Sequence, residues 1–235
     1  FFDHADIYGR GAREEIFSGI WEEVPGLRDW VVLQSKCGIR FAGDPDARAP
    51  GRYDFSYEHI TRSVEGSLRR LKTDYLDILL LHRPDVLMEP EEVARAFDAL
   101  HQAGKVRYFG VSNHTAAQIQ LLRRWVDQPI VVNQVLINVL HSEFLEVGVN
   151  LTRRPLVRKL RGDGTLEYCW LNDITIQAWS PLARGEIAGK PLSAPDARTE
   201  RTAALIGQVA EEKGVSREAI AIAWLLRHPA HIQPI

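Results

Sequence analysis

The chain has 235 residues, 45% hydrophobic and 26% charged, with 29 basic against 31 acidic side chains and a formal net charge of -2. That length can bury one barrel-sized core, and the near-balanced charge argues against a nucleic-acid or anionic-membrane surface as the main partner. Two cysteines, Cys37 and Cys169, give neither a disulfide framework nor metal-ligand spacing, and with no basic leader and no apolar run near the roughly 18 residues of a membrane span, a cytoplasmic location is expected.

The chain opens on FFDHADIYGRG, where Phe1 and Phe2 read as the end of a buried strand, Asp3 as its last residue and Tyr8 as part of the loop beyond. A helix over AREEIFSGIWEEV leads to the strand WVVLQSK (30–36). A long polar loop then runs to Phe55, ahead of the helix SYEHITRSVEGSLRRL and the strand YLDILLLH (75–82). The next helix, EPEEVARAFDALHQAG, ends on Gly104 as a C-terminal cap. It is followed by VRYFGVSN (106–113), the helix TAAQIQLLRRWV and the strand IVVNQV (130–135). After a second loop, 136–163, come a short helix around GTLEYCWLND, the strand ITIQAW (174–179) and a third loop. The helices TERTAALIGQVAEEKG and SREAIAIAWLLRHP lead to a last strand beginning in HIQPI.

β-rich runs alternating with helices predict βαβ units on a parallel sheet. Seven strands are one short of an eight-stranded barrel, which takes about 250 residues. The expectation is therefore an α/β chain, a (β/α)8 TIM barrel forming one domain over 1–235, with the first βα unit before Phe1 and a C-terminal segment beyond Ile235. Alternation alone leaves a doubly wound open sheet as the competitor.

The strand ends favour the barrel. Asp3, Lys36, His82, Ser112 with Asn113, Gln134, and Trp179 with Ser180 each follow an otherwise apolar run. In a closed parallel barrel such ends converge on one face and surround one pocket. A phenol, with an ordinary pKa of about 10, is a poor acid near neutrality, but a neighbouring ammonium stabilises the phenolate it leaves behind. Lys36 can supply that charge, Asp3 can keep it cationic, and His82 can orient a carbonyl by hydrogen bonding. Tyr8 then protonates a carbonyl oxygen while hydride comes from a cofactor, because none of these four residues can deliver it. The amides Asn113 and Gln134 beside Ser112 suit a carboxamide, and Trp179 suits the flat face of a ring, so a nicotinamide fits both. A Rossmann fingerprint is missing, since GRGARE has Glu14 where a third glycine would stand, so the nucleotide is expected across the barrel mouth.

In these residues the chain resembles the aldo-keto reductase superfamily over essentially its whole length. DHADIYG is similar to the family's D-x-A-x-x-Y-G element, QSK to its lysine strand, LLLHRPD to its histidine strand, and GVSN, NQV and AWSPLARG to its cofactor elements. KCGI with YDFSYEHI points to the bacterial oxidoreductase branch. The resemblance implies a barrel, NADPH/NADP as cofactor with NAD left open, no metal, and reduction of an aldehyde or ketone. It places the catalytic tetrad on Asp3, Tyr8, Lys36 and His82, the carboxamide on Ser112, Asn113 and Gln134, the nicotinamide ring on Trp179, and the pyrophosphate near Ser180 and Leu182. The family's adenosine-phosphate site would follow Ile235, so the choice between NADP and NAD is not legible here. The expected partner is a small carbonyl compound, with the chain a monomer or weak homo-oligomer.

Two rival readings stand beside this one. One is a non-catalytic nucleotide-binding regulatory subunit on the same fold, against which the intact tetrad speaks. The other is a metal-dependent barrel hydrolase using His4, His82, His114 and Lys36, but HAD has Asp6 where a second histidine would stand. Cys37 reads as packing, the basic run TRRPLVRKLRG (152–162) as a solvated loop, and Phe41, Tyr53 and Phe55 as candidates to line an apolar substrate pocket.

Overall fold

The computed structural model of the protein describes residues 1–146, 164–193 and 195–235. The basic run 152–162 lies outside the described residues. The chain's internal contacts group into two compact units, Phe1–Val132 and Asn133–Ile235.

In the first unit four strands run parallel in the order β1 (Phe2–Asp3), β2 (Leu33–Cys37), β5 (Leu76–Leu81) and β6 (Val106–Ser112). Every residue of β5 is buried, as expected for a parallel strand covered on both faces. Three helices carry apolar stripes toward this sheet: α3 (Tyr57–Leu71), α4 (Pro90–Gln102) and α5 (Ala116–Arg123). Phe97 of α4 stacks on Phe109 of β6 with ring centroids 4.0 Å apart. Side-chain caps start two of these helices: Ser56 accepts from the His59 N–H, and Thr115 forms a capping box with Gln118. Each such cap contributes about 1 kcal/mol. The helix expected over AREEIFSGIWEEV breaks at Gly19 into α1 (Ala12–Ser18) and α2 (Ile20–Glu23).

At Gly110 of β6 the neighbours leave no room for a side chain. A Cβ there would stand 2.6 Å from Leu80 Cδ2 and 2.7 Å from the Val132 carbonyl oxygen.

The polar loop after Lys36 holds a two-stranded antiparallel hairpin, β3 (Ile39–Arg40) and β4 (Arg52–Tyr53), which the sequence did not announce. Arg40 fastens it: Nε and Nη2 donate to Asp44, and Nη1 to Asp54 Oδ2 at 2.6 Å. Phe55 packs beneath Gly38, whose φ is +105°. Phe55 is therefore core rather than pocket lining, while Phe41 and Tyr53 are exposed.

The second unit begins inside β7 (Ile130–Leu136) and carries the short helices α6 (Glu143–Glu146) and α7 (Thr165–Leu171). Strand β8 (Thr175–Trp179) pairs in parallel with β9 (Gln233–Pro234). Between them in sequence come α8 (Ala197–Lys213), with an Asp196–Thr199 capping box, and α9 (Arg217–Leu226). Leu140, Ala183, Ile187, Ile206 and Ala221 form the unit's apolar cluster, with Leu182 packed against it.

Candidate active site

The centre of the site is Lys36, a lysine with a fully buried side chain near the end of β2. An ammonium has three protons to place, and each finds an acceptor. Lys36 Nζ donates to Asp3 Oδ2 at 2.6 Å, to the His4 carbonyl at 2.8 Å and to the Tyr8 hydroxyl at 3.3 Å. Parallel pairing sets the geometry, because the register of Asp3 against Gln34 puts the end of β1 beside β2.

Gln34, two residues before Lys36, donates from Nε2 to the other Asp3 oxygen at 2.6 Å. Both oxygens of Asp3 are therefore held. Sequence reading missed Gln34, although the strand period of two would have put it on the same face as Lys36.

Tyr8 lies just past the strand end in a tight turn, with Gly9, Arg10 and Gly11 all at positive φ. Its ring meets His82 edge to face at 5.9 Å. His82 follows β5, its backbone N–H donating to the Cys37 carbonyl at 2.9 Å. Burial, with the Lys36 and Arg83 charges, pushes its imidazole down to about 3, so the ring is neutral. Its Nδ1 is buried with no hydrogen-bond partner among the described residues. An unpaired buried nitrogen in a polar site fits a group supplied by a bound molecule.

At the end of β6, Ser112 is buried and Asn113 adopts φ +60°, a left-handed conformation that Asn tolerates. Asn113 Nδ2 donates to Ser112 Oγ at 2.7 Å, giving a hydroxyl and an amide side by side. That donor and acceptor set matches the chemistry of a carboxamide.

The second unit carries the remaining expected residues. Gln134 is buried in β7 and donates from Nε2 to Gln177 Oε1 at 3.1 Å, and Gln177 donates in turn to Gln233 Oε1 at 3.1 Å. This ladder of amides ties β7, β8 and β9 together, and Gln177 and Gln233 were not foreseen. Trp179, half-buried, closes β8. Beyond it Ser180, Ala183 and Arg184 all have positive φ, and Asn138 Nδ2 holds the Ser180 carbonyl at 3.0 Å. Left-handed backbone at three non-glycine residues costs energy that a packed fold retains mostly where it serves a site. The Leu182 side chain leans on the apolar cluster.

Cys37 is fully buried, with its thiol pushed up by burial, which makes it inert packing. His114 is also buried, its Nδ1 3.0 Å from the Ser112 carbonyl. Among the described residues no three His, Cys, Asp or Glu side chains group as a metal site, and no helix is long and apolar enough to cross a membrane.

Comparison with known proteins adds a common ancestry to this geometry. The model of the Aldo/keto reductase family matches residues 1–235. The chain is 41% identical over 235 residues to the uncharacterized oxidoreductase YcsN of Bacillus subtilis, covering all of this chain and 72% of the relative. It is 37% identical to a 6-dehydroglucose reductase of Agrobacterium fabrum, with 99% of this chain and 71% of the relative aligned. The glycerol dehydrogenase AKR11B4 from Gluconobacter oxydans superposes with a TM-score of 0.76 at 25% identity, over 99% of this chain and 71% of that one. The fold is thus of the (β/α)8-barrel class, and the chain belongs to the aldo/keto reductase family of nicotinamide-dependent oxidoreductases.

Proposed function

We propose that the protein reduces an aldehyde or ketone to an alcohol with NADPH, and that Tyr8 is the proton donor. The observation that carries this reading is the single ammonium of Lys36 shared between Asp3 at 2.6 Å and the Tyr8 hydroxyl at 3.3 Å. A hydroxyl that gives its proton to a carbonyl oxygen becomes a phenolate, and an adjacent ammonium stabilises that anion. Asp3, fixed by Gln34, faces the ammonium with the opposite charge. His82, held neutral, carries one ring N–H, which orients the carbonyl oxygen toward Tyr8.

The nucleotide, when bound, supplies the hydride. Ser112, Asn113 and Gln134 would hold its carboxamide. Trp179 would lie against its ring, and Ser180 and Leu182 would approach its pyrophosphate. The hydroxyl and amide pair at Ser112 and Asn113 supports this assignment, as does the strained backbone after Trp179. We take residues 1–235 as one catalytic domain whose small-molecule substrate carries the carbonyl, working as a monomer or weak homo-oligomer in the cytoplasm.

The cofactor assignment is tested by titrating NADPH and NADH while following tryptophan emission. Aromatic stacking is worth roughly 0.5–1.5 kcal/mol beyond burial, so Trp179→Ala should bind NADPH about tenfold more weakly and Trp179→Tyr nearly as well as wild type. Undiminished binding by Trp179→Ala would remove Trp179 from the site, and tighter binding of NADH would overturn the choice of NADPH.

A further inference from the structure

Beside the Tyr8 turn, but sharing no residue with the tetrad, is a cavity of about 300 Å³ walled by the Asp6–Arg10 segment, the hairpin and α3. Five arginines line it: Arg10, Arg40, Arg62, Arg69 and Arg70, against the carboxyls of Asp6 and Asp44. Two of the five are already neutralised. Arg40 is paired with Asp44 and Asp54, and Arg70 donates from Nε and Nη2 to the fully buried Glu14 at 2.8 and 2.7 Å. No carboxylate of the described residues pairs within 4.0 Å with Arg10, Arg62 or Arg69. The Asp6 carboxyl offsets them only in part, because burial and the Glu14 charge push it up to about 7.

The architecture keeps these cations together and the space between them open. Positions 62, 66, 69 and 70 fall on one face of α3. At 66 stands glycine, where a Cβ would lie 2.9 Å from Arg70 Nη1, so the Arg70 side chain crosses the helix there and no side chain fills the gap toward Arg62. Arg62 gives one N–H to His59 Nδ1 at 3.2 Å, which leaves the rest of its fork available. Arg10, with φ +56°, holds its guanidinium 4.6 Å from the centre of the Phe41 ring, itself part of the cavity wall. Guanidinium forks match the oxygens of phosphate two at a time.

We propose that this cavity is a binding site for a phosphate group, as the free ion or as a phosphate monoester, held by Arg10, Arg62 and Arg69.

The test is calorimetric titration of the 235-residue chain, without nucleotide, at low ionic strength, using inorganic phosphate and glycerol 3-phosphate as probes and chloride as the reference anion. Saturable binding with one site is expected. The double variant Arg62→Gln, Arg69→Gln should weaken it tenfold or more, since charge-assisted contacts to phosphate are lost. Arg48→Gln removes a charge outside the cavity and should change affinity less than twofold. Equal affinity for the two probes assigns the site to the free ion, and tighter ester binding assigns it to a phosphorylated metabolite. No saturation, or equal losses in Arg48→Gln and the double variant, would overturn the proposal. Because the readout involves neither nucleotide nor turnover, the outcome is independent of the reductase reading.

Discussion

Lys36 is a charge that the fold has placed at 1% exposure, which is tolerable only because all three of its protons are accepted. Removing one member of such a pair costs about 3–5 kcal/mol where the other stays buried. Lys36→Met should therefore lower the thermal midpoint and, in the folded fraction, cut turnover at least a hundredfold. Loss of stability with turnover intact would make Lys36 a structural residue. His82 provides a second check. Its folded pKa of about 3 lies below the ordinary 6.5, so between those values the unfolded chain takes up a proton that the native one does not. Stability should rise with pH across that window and level off above it. The ring nitrogen shifts of His82 should accordingly stay those of neutral imidazole from pH 8 down to about 5; a midpoint near 6.5 would contradict the neutral donor. The positions of Lys36 and His82 were legible because each ends an apolar run. Gln34 was not, because a polar residue inside a strand has no marker apart from its spacing to Lys36.

The strands and most helices followed directly from apolar periodicity, and the end of α4 from Gly104; the side-chain caps at Ser56 and Thr115 came only with the structure. The hairpin of β3 and β4 escaped, because each strand has two residues and its hold comes from Arg40 reaching Asp44 and Asp54 rather than from an apolar pattern. Gly38 is its pivot. An added Cβ would come within 1.9 Å of Phe55 Cε1, at a φ that also disfavours any side chain. Gly38→Ala should displace the hairpin and speed proteolysis within residues 39–53, with little change at the caps of α4 or α5; an unchanged cleavage pattern would show that Phe55 can move aside. At the opening end of β5, Asp77 accepts from the Leu33 N–H at 2.9 Å and from Arg28 and Arg107 at 3.0 Å each, and both guanidiniums lie 3.8 Å from the Tyr75 ring centre. Asp77→Ala leaves a buried N–H and two cations unpaired and should cost about 2–4 kcal/mol in denaturant unfolding. A loss under about 0.5 kcal/mol, the level of an ordinary surface change, would contradict that role.

For the molecule as a whole, seven strands, six of them ending in polar residues, were enough to suggest a barrel, and the relatives share that fold over nearly all of this chain. What the linear pattern could not convey is the organisation of the buried charges, since Asp6, Glu14 and Arg70 meet only after folding. Asp6 makes that organisation measurable. Its carboxyl, raised to about 7 by burial and Glu14, keeps a proton that the unfolded chain releases above its ordinary 3.8. Native stability therefore declines as pH rises through that window. Asp6→Asn should melt several degrees above wild type at pH 8 and converge with it near pH 4, given about 2–4 °C per kcal/mol for a chain of this size; a pH-independent difference would place the effect elsewhere. The central claim is that the Tyr8 hydroxyl delivers the proton to a carbonyl oxygen, and single-turnover reduction by Tyr8→Phe tests it most directly. With the fold retained and NADPH affinity near wild type, the rate of nicotinamide oxidation on a reactive aldehyde should fall by about 10² to 10⁴, the usual worth of a general acid. A Tyr8→Phe enzyme that turns over within tenfold of wild type would contradict it.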